Sequence, residues 1–126
     1  AGMTLNTIRE FKKNLAVFRC SANSQSGLGH LSRCRSLMVS FSRAGWECKL
    51  AVSAEEPRAL QQKWPSGVDL LVVDDYDVDS VYESACRPWA KKIMVIDDLA
   101  NRKHDCDLLL DQNLLKNMAF LLLSTF

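Results

Sequence analysis

A glycine pair beside a histidine is the part of this sequence best suited to chemistry. It lies in SQSGLGHLSRC, residues 24–34, where Gly27 and Gly29 precede His30, one of two histidines in the chain. Glycines let the backbone approach a ligand closely. A helix that follows offers free N–H groups and a partial positive charge to a phosphate or pyrophosphate. A histidine at the helix start titrates near neutral pH and can take a proton from water.

The same glycines also suit a plain turn between a strand and a helix, and alone they leave both interpretations open. The dinucleotide-binding fingerprint is incomplete, because Ser32 stands where a third glycine belongs. The second predicted strand ends in residues 52–54 without an acid for a ribose, which disfavours NAD. The sequence has neither GxxxxGKS nor GxxxxGKT, so a P-loop is excluded and no cofactor is predicted.

Polar side chains lie at the carboxyl ends of four predicted strands. They are, in chain order, Arg19, Asp74, Asp75, Tyr76, Asp97, Asp98, Asp111, Gln112 and Asn113. Ligands of open parallel α/β sheets bind outside the carboxyl ends of the strands. The pattern therefore predicts one polar rim that includes the glycine–histidine sequence.

Several of these residues also have a purely structural interpretation. Asp74 or Asp77 suits a cap of the helix that follows. Asp98 suits a structural ion pair with Arg102, four residues on. The amides after the last strand suit backbone hydrogen bonds in a turn. The residue types at these positions do not by themselves distinguish a ligand-binding role from a structural one.

The elements that position the rim follow from the hydrophobic pattern. Strands are predicted at residues 15–20, 47–54, 68–76, 91–98 and 106–113. Helices are predicted at residues 30–45, 55–64, 77–90 and 114–126. Strands that alternate with helical crossovers indicate a parallel sheet covered on both faces. The predicted fold class is therefore α/β, a Rossmann-like parallel sheet with helices on both faces.

Composition is that of an ordinary globular domain. The 126 residues are 48% hydrophobic and 25% charged, with a net charge of +1. The chain lacks the concentrated basic surface of a nucleic-acid binder and the basic runs of a membrane-surface patch. No run approaches the ~20 apolar residues of a transmembrane helix. We therefore expect a cytoplasmic protein that binds neither nucleic acid nor membrane.

The cysteines do not indicate a disulfide framework or a metal site. There are five, an odd number, and none are paired as CxxC. We expect reduced thiols that act mainly as small apolar side chains. The sequence His104-Asp105-Cys106 offers two ligands at a poor spacing, so no metal is predicted.

Three ordered motifs resemble a known enzyme family. FRCSANSQSGLGHLSRC, LLVVDDY and KIMVIDDLANRKHDCDLLLDQN, within residues 17–113, resemble the UDP-2,4-diacetamido-2,4,6-trideoxy-β-L-altropyranose hydrolase family of pseudaminic acid biosynthesis. The resemblance implies the N-terminal half of a GT-B-type fold, whose active site lies between two Rossmann domains. It also implies that water attacks the anomeric carbon of a UDP-sugar with inversion and without a required metal.

The resemblance carries specific residue roles. It implies that His30 is the catalytic group and that Tyr76 lies close to the reacting water or sugar. It implies substrate-binding roles for Arg19, Gly27, Gly29, Arg33, Asp74, Asp98 and Asn113. Two positions depart from the family pattern, since Ser21 replaces an acid and Asp75 replaces a histidine that some members carry.

Domain organisation leaves the activity of this chain open. We expect residues 1–13 to be a tag or extension, and residues 14–126 to form the catalytic-histidine domain without the family's nucleotide-binding domain. Weak or absent turnover is then expected. One alternative is the acceptor domain of a GT-B glycosyltransferase, in which an acceptor hydroxyl replaces water. Another is a non-catalytic fragment whose uncovered cleft face binds a second domain or a second copy.

Overall fold

Five parallel strands form the centre of the computed structural model, which describes residues 12–21, 27–51 and 55–111. The strands are β1 (Leu15–Cys20), β2 (Glu47–Ala51), β3 (Val68–Asp74), β4 (Ala90–Ile96) and β5 (Leu108–Leu110). The helices are α1 (Gly27–Arg43), α2 (Pro57–Lys63) and α3 (Ser80–Cys86). The sheet order is β2-β1-β3-β4-β5, and every neighbouring pair is parallel. The predicted Rossmann-like α/β fold is confirmed.

The strand order creates a crevice beside β1. Strand β2 lies beside one edge of β1, and the chain then crosses back so that β3 lies beside the other edge of β1. Such a reversal leaves a gap at the carboxyl ends of the two central strands, where ligands of open α/β sheets bind. Cys20 lies in register with Asp74, so β1 and β3 end at the same level beside this crevice.

The two faces of the sheet bury alternate residues of each strand. Phe18 and Val72 belong to the core beneath α1, whereas Val17 and Val73 belong to the core beneath α2 and α3. This alternation follows from the period of two in a β-strand. Both faces are apolar because both are covered, which explains the continuous hydrophobic runs in the sequence.

Helix α1 packs through aromatic side chains. Phe41 meets Phe18 of β1 at a ring-centroid distance of 5.5 Å and Trp46 at 5.4 Å, both edge to face. Such pairs contribute about 1 kcal/mol each beyond the area they bury. Helix α1 ends at Arg43, and Gly45 follows with φ +95°, as predicted for a glycine that terminates the helix.

The boundaries of several predicted elements are wrong. Helix α1 begins at Gly27, three residues before the predicted start, so both glycines and His30 lie within its first turn. The first N–H groups of a helix need no intrahelical partner, so glycine is less costly there than in the interior. Strands β3 and β4 end before their predicted ends, and α3 is shorter than predicted. The predicted helix over residues 114–126 lies outside the described residues.

Asp79 caps α3, which corrects the prediction of Asp74 or Asp77. The Asp79 carboxylate accepts a hydrogen bond from the N–H of Val81 at 3.0 Å, and its backbone is extended. The N–H of Asp77 instead donates to the carboxylate of Asp75 at 2.9 Å. These contacts form a turn between β3 and α3, so the capping position moves two residues along the chain.

All five cysteines lie in the described residues, and each is a free thiol. Over the same residues, no helix combines the length and the hydropathy needed to cross a membrane.

Gly67 lies at a backbone position that excludes a side chain. Its φ is +85°, and a Cβ atom there would lie 2.8 Å from the carbonyl oxygen of Trp89. We expect Gly67→Ala to lower the free energy of unfolding by more than about 2 kcal/mol, from the positive φ and the clash together. Urea denaturation measures the change. Gly45→Ala is the matched control, because φ is +95° but no atom lies within 4 Å, and about 1 kcal/mol is expected. Equal losses in both variants would contradict a role for the Trp89 contact.

Candidate active site

A buried ion pair joins α1 to the carboxyl end of β3. The Arg33 guanidinium donates to both carboxylate oxygens of Asp74, with Nε–Oδ2 at 2.9 Å and Nη2–Oδ1 at 2.7 Å. Asp74 is fully buried, and the Arg33 side chain is 18% exposed. The thiol of Cys34 lies 3.8 Å from the same carboxylate. The two-point geometry sets both the position and the rotation of α1 relative to β3.

Arg19 lies beneath the crevice rather than on its open rim. Its guanidinium is buried and forms an ion pair with Asp75. Nε also donates to the hydroxyl of Tyr82 at 3.2 Å, and the guanidinium lies 4.9 Å from the centre of that ring. Burial raises the pKa of Tyr82 to about 12 although Arg19 opposes the shift. Arg19 is therefore already engaged by protein groups in this structure.

Tyr76 and Asp98 meet at the carboxyl edge, although they follow different strands. The Tyr76 hydroxyl donates to the Asp98 carboxylate at 2.6 Å, and the guanidinium of Arg102 lies 5.9 Å from the tyrosine ring centre. Partial burial and the bond to Asp98 raise the pKa of Tyr76 above its ordinary value. The phenol is therefore a proton-bearing donor at neutral pH.

Asp97, rather than Asp98, forms the predicted ion pair with Arg102. The Asp97 carboxylate accepts from Arg102 Nη1 at 3.2 Å, from the N–H of Leu99 at 3.0 Å and from His104 Nε2 at 2.9 Å. Burial would raise the pKa of Asp97, but these hydrogen bonds outweigh it and lower the pKa. The i, i+4 spacing misled the prediction because residues 98–102 are not helical, so side chains four apart do not share a face.

His104 bridges two buried carboxylates from different elements. Nδ1 lies 2.7 Å from Glu83 of α3, and Nε2 lies 2.9 Å from Asp97 at the end of β4. Burial would lower the pKa of His104, but the hydrogen bonds to Asp97 and Glu83 raise it above its ordinary value. The shift favours the protonated ring, and both ring nitrogens are engaged by carboxylates of the protein in this structure.

The remaining predicted site residues differ in how far the structure describes them. Gly27 and Gly29 lie in the first turn of α1, and a Cβ atom at Gly29 would meet only open space within 4 Å. The backbone of His30 lies in the same turn, one turn before Arg33. The side chain of His30 and all of Asn113 lie outside the described residues. The helix register places positions 30 and 33 on one face of α1.

Several residues that organise this edge were not among the predicted catalytic or substrate-binding residues. They are Asp75, Tyr82, Glu83, Asp97, Arg102 and His104. Glu83 carries no sequence signal of burial, because a glutamate on a short helix is ordinarily exposed. The sequence did contain one sign that the β4–β5 loop folds back onto β4: an arginine and a histidine follow closely after the two aspartates at the end of that strand.

The geometry defines a Rossmann-like α/β protein with its polar groups gathered at the carboxyl edge. That edge offers the amino-terminal turn of a helix, which suits an anionic group, together with a protonated phenol and several carboxylates, which suit hydroxyl or amide groups. In the part of the chain that the structure describes, no three histidine, cysteine or acidic residues are placed to hold a metal ion.

Among curated proteins, 97 residues of the chain are 29% identical to the "Pseudaminic acid cytidylyltransferase and UDP-2,4-diacetamido-2,4,6-trideoxy-beta-L-altropyranose hydrolase" of Helicobacter pylori (strain ATCC 700392 / 26695). The match covers 76% of this chain, and the chain spans 19% of that relative's length. No protein-family model and no solved structure matches the chain. The chain is thus similar to part of an enzyme, which supports an enzymatic activity in general.

The Arg33–Asp74 pair generates a stability prediction. Arg33→Met removes the charge that faces a fully buried carboxylate, so we expect the free energy of unfolding to fall by about 3 kcal/mol. Arg35→Met is the matched control on the exposed face of the same helix, with a change within about 0.5 kcal/mol. Urea denaturation of both variants measures the difference. A loss in Arg33→Met no larger than in the control would contradict the structural role of the pair.

Proposed function

We propose that the chain is the catalytic-histidine domain of a hydrolase that releases UDP from a UDP-linked 2,4-diacetamido-2,4,6-trideoxy sugar. The observation that carries the proposal is the meeting of three groups at one edge. The GxGH turn of α1, the Arg33–Asp74 pair and the Tyr76–Asp98 pair all lie at the carboxyl end of the sheet. The similarity to the H. pylori enzyme supplies the substrate class.

The proposed reaction needs one water and no redox chemistry. The oxygen of water bonds to the anomeric carbon while the bond from that carbon to the diphosphate oxygen breaks. The water proton passes to the imidazole of His30, and the bonding electrons leave with UDP. A diphosphate is a good leaving group, so a general base and an anion-stabilising helix terminus suffice for this step.

Helix α1 has two tasks in this scheme. Its first turn, which includes Gly27 and Gly29, offers backbone N–H groups without intrahelical partners toward the anionic part of the substrate. The Arg33–Asp74 pair, one turn further on, holds this end of the helix against β3. The backbone at position 30 is thereby held relative to the end of β3, and a base needs such fixed positioning for a near-attack geometry.

Tyr76 and Asp98 provide the sugar-facing polar pair. The phenol keeps its proton at neutral pH because its pKa is raised by burial and by the bond to Asp98. Its one O–H is donated to Asp98 in this structure, so a carbonyl group of the sugar would take that O–H in place of Asp98, and an N–H group of the sugar would meet the oxygens of the pair. A sugar with two acetamido groups carries both amide N–H donors and carbonyl acceptors, which such a pair matches.

We further propose that a second domain covers this edge in the active enzyme. The chain spans 19% of the relative's length. A diphosphate held from one side alone remains largely hydrated, and enclosure from a second side strengthens each electrostatic contact. Weak turnover is accordingly expected from the 126-residue chain alone.

His30→Gln is the test of the proposed base. In a form that carries the second domain, UDP release should fall about 10²- to 10⁴-fold, because the side chain no longer accepts the proton from water. Arg35→Gln, on the same helix but exposed, should retain the wild-type rate. Release of UDP is measured with a coupled assay, and circular dichroism checks the fold. Near-normal turnover of His30→Gln, or no UDP release by the wild-type protein, would refute the proposal.

A further inference from the structure

The contacts of His104 connect three parts of the fold. The residue lies in the loop between β4 and β5, and its ring bonds to Glu83 in α3 and to Asp97 at the end of β4. The backbone supports the same junction, since the N–H of Ser80 donates to the carbonyl of Lys103 at 2.9 Å. His104 therefore holds the β4–β5 loop and α3 against the carboxyl edge of the sheet.

The loop between Asp97 and His104 has a constrained conformation. Ala100 has φ 53°, in the left-handed region that favours glycine. A residue in that region is retained when the surrounding contacts over-determine it. Here those contacts converge on one carboxylate, because Leu99, Arg102 and His104 all bond to Asp97.

Asp97 immediately precedes Asp98, the carboxylate that accepts the Tyr76 hydroxyl. Any change in the hydrogen bonds of Asp97 therefore acts on the backbone that presents Asp98. We propose that His104 is a positioning residue, whose protonated ring holds the end of β4 so that Asp98 meets Tyr76. The effect of this positioning on catalysis rests on the function proposed above, whereas the effect of His104 on the Tyr76–Asp98 pair does not.

The charges around the His104 ring favour its protonated form. Glu83 of α3 and Asp97, which directly follows β4, face its two nitrogens, and Arg102 of the β4–β5 loop is the nearby cation that opposes protonation. The neighbouring Asp105 carboxylate is paired with Arg87. An imidazolium has two N–H donors for two carboxylates, whereas neutral imidazole has one. Loss of the proton leaves one nitrogen lone pair against a buried carboxylate.

The His104 bridge between Glu83 and Asp97 depends on pH in one direction. The pKa of His104 is raised in the folded protein, so the bridge is complete below the ordinary histidine pKa. It is lost as the pH rises through the folded pKa. The Tyr76–Asp98 geometry should therefore change at a pH above the ordinary histidine pKa.

NMR titration of the wild-type chain tests this directly. The ring signals of His104 and Tyr76 are followed from about pH 5 to 10, a range that spans the ordinary histidine pKa, with His30→Gln and Tyr76→Phe used to assign them. We expect the Tyr76 signals to shift with the same midpoint as the His104 ring. Tyr76 signals that remain constant while His104 titrates would overturn the proposal.

Glu83→Gln provides a graded variant that keeps the shape of the bridge. It removes one of the two negative charges at the ring, so the His104 midpoint should move to lower pH by about one unit. The Tyr76 midpoint should move with it. Lys103→Gln is the control, because it removes a charge from the adjacent exposed position and should leave both midpoints unchanged. A Tyr76 midpoint that stays at the wild-type pH in Glu83→Gln would disprove the coupling.

The pH dependence of UDP release distinguishes the positioning role of His104 from the proposed hydrolysis. In a form that carries the second domain, the alkaline limb of kcat for UDP release should move to lower pH in Glu83→Gln and not in Lys103→Gln. An unmoved limb would contradict the catalytic consequence of positioning. If the wild-type protein releases no UDP, the proposed function fails, while the linked midpoints of His104 and Tyr76 still decide whether His104 positions the pair.

Discussion

Arg19, near the carboxyl end of β1, has a buried guanidinium that contacts the carboxylate of Asp75, the residue after the neighbouring strand β3. An unpaired charge at this depth costs several kcal/mol, so neither residue can occupy its position without the other. The same constraint applies to Asp74, Glu83 and Asp97, which are also buried. Each is matched by a basic side chain distant from it in the chain or across the β4–β5 loop, and these pairings determine how the helices and that loop attach to the carboxyl edge.

The attachments divide the edge into two halves with different partners. On one side Arg33 brings α1, and with it the glycine–histidine turn, to the end of β3. On the other side Arg102 and His104 fold the β4–β5 loop back over the end of β4. Tyr76 and Asp98 lie between these halves as a more exposed pair. The groups available to a ligand are thus supported by buried ion pairs, which is the arrangement that precise positioning requires.

The hydrophobic pattern was sufficient to predict the strands of the sheet, but it could not predict the contacts between charged side chains. The bounds of β1 match the prediction because a run such as LAVFRC is apolar on both faces only where both faces are covered. The early start of α1 was missed because two glycines lower helix propensity, although a first turn tolerates them. The Glu83–His104 contact spans 21 residues, and no local rule joins a helical glutamate to a distant loop histidine.

Histidine suits the position between Glu83 and Asp97 for a geometric reason. Its two N–H groups point from opposite sides of a short rigid ring, so one side chain reaches carboxylates on two elements at 2.7 and 2.9 Å. Lysine would present a single flexible ammonium, and arginine a longer fork suited to one carboxylate. Both would also remain charged at all physiological pH values. A histidine bridge therefore combines a close junction with sensitivity to pH, at the point where α3 and the β4–β5 loop meet the edge that carries Tyr76 and Asp98.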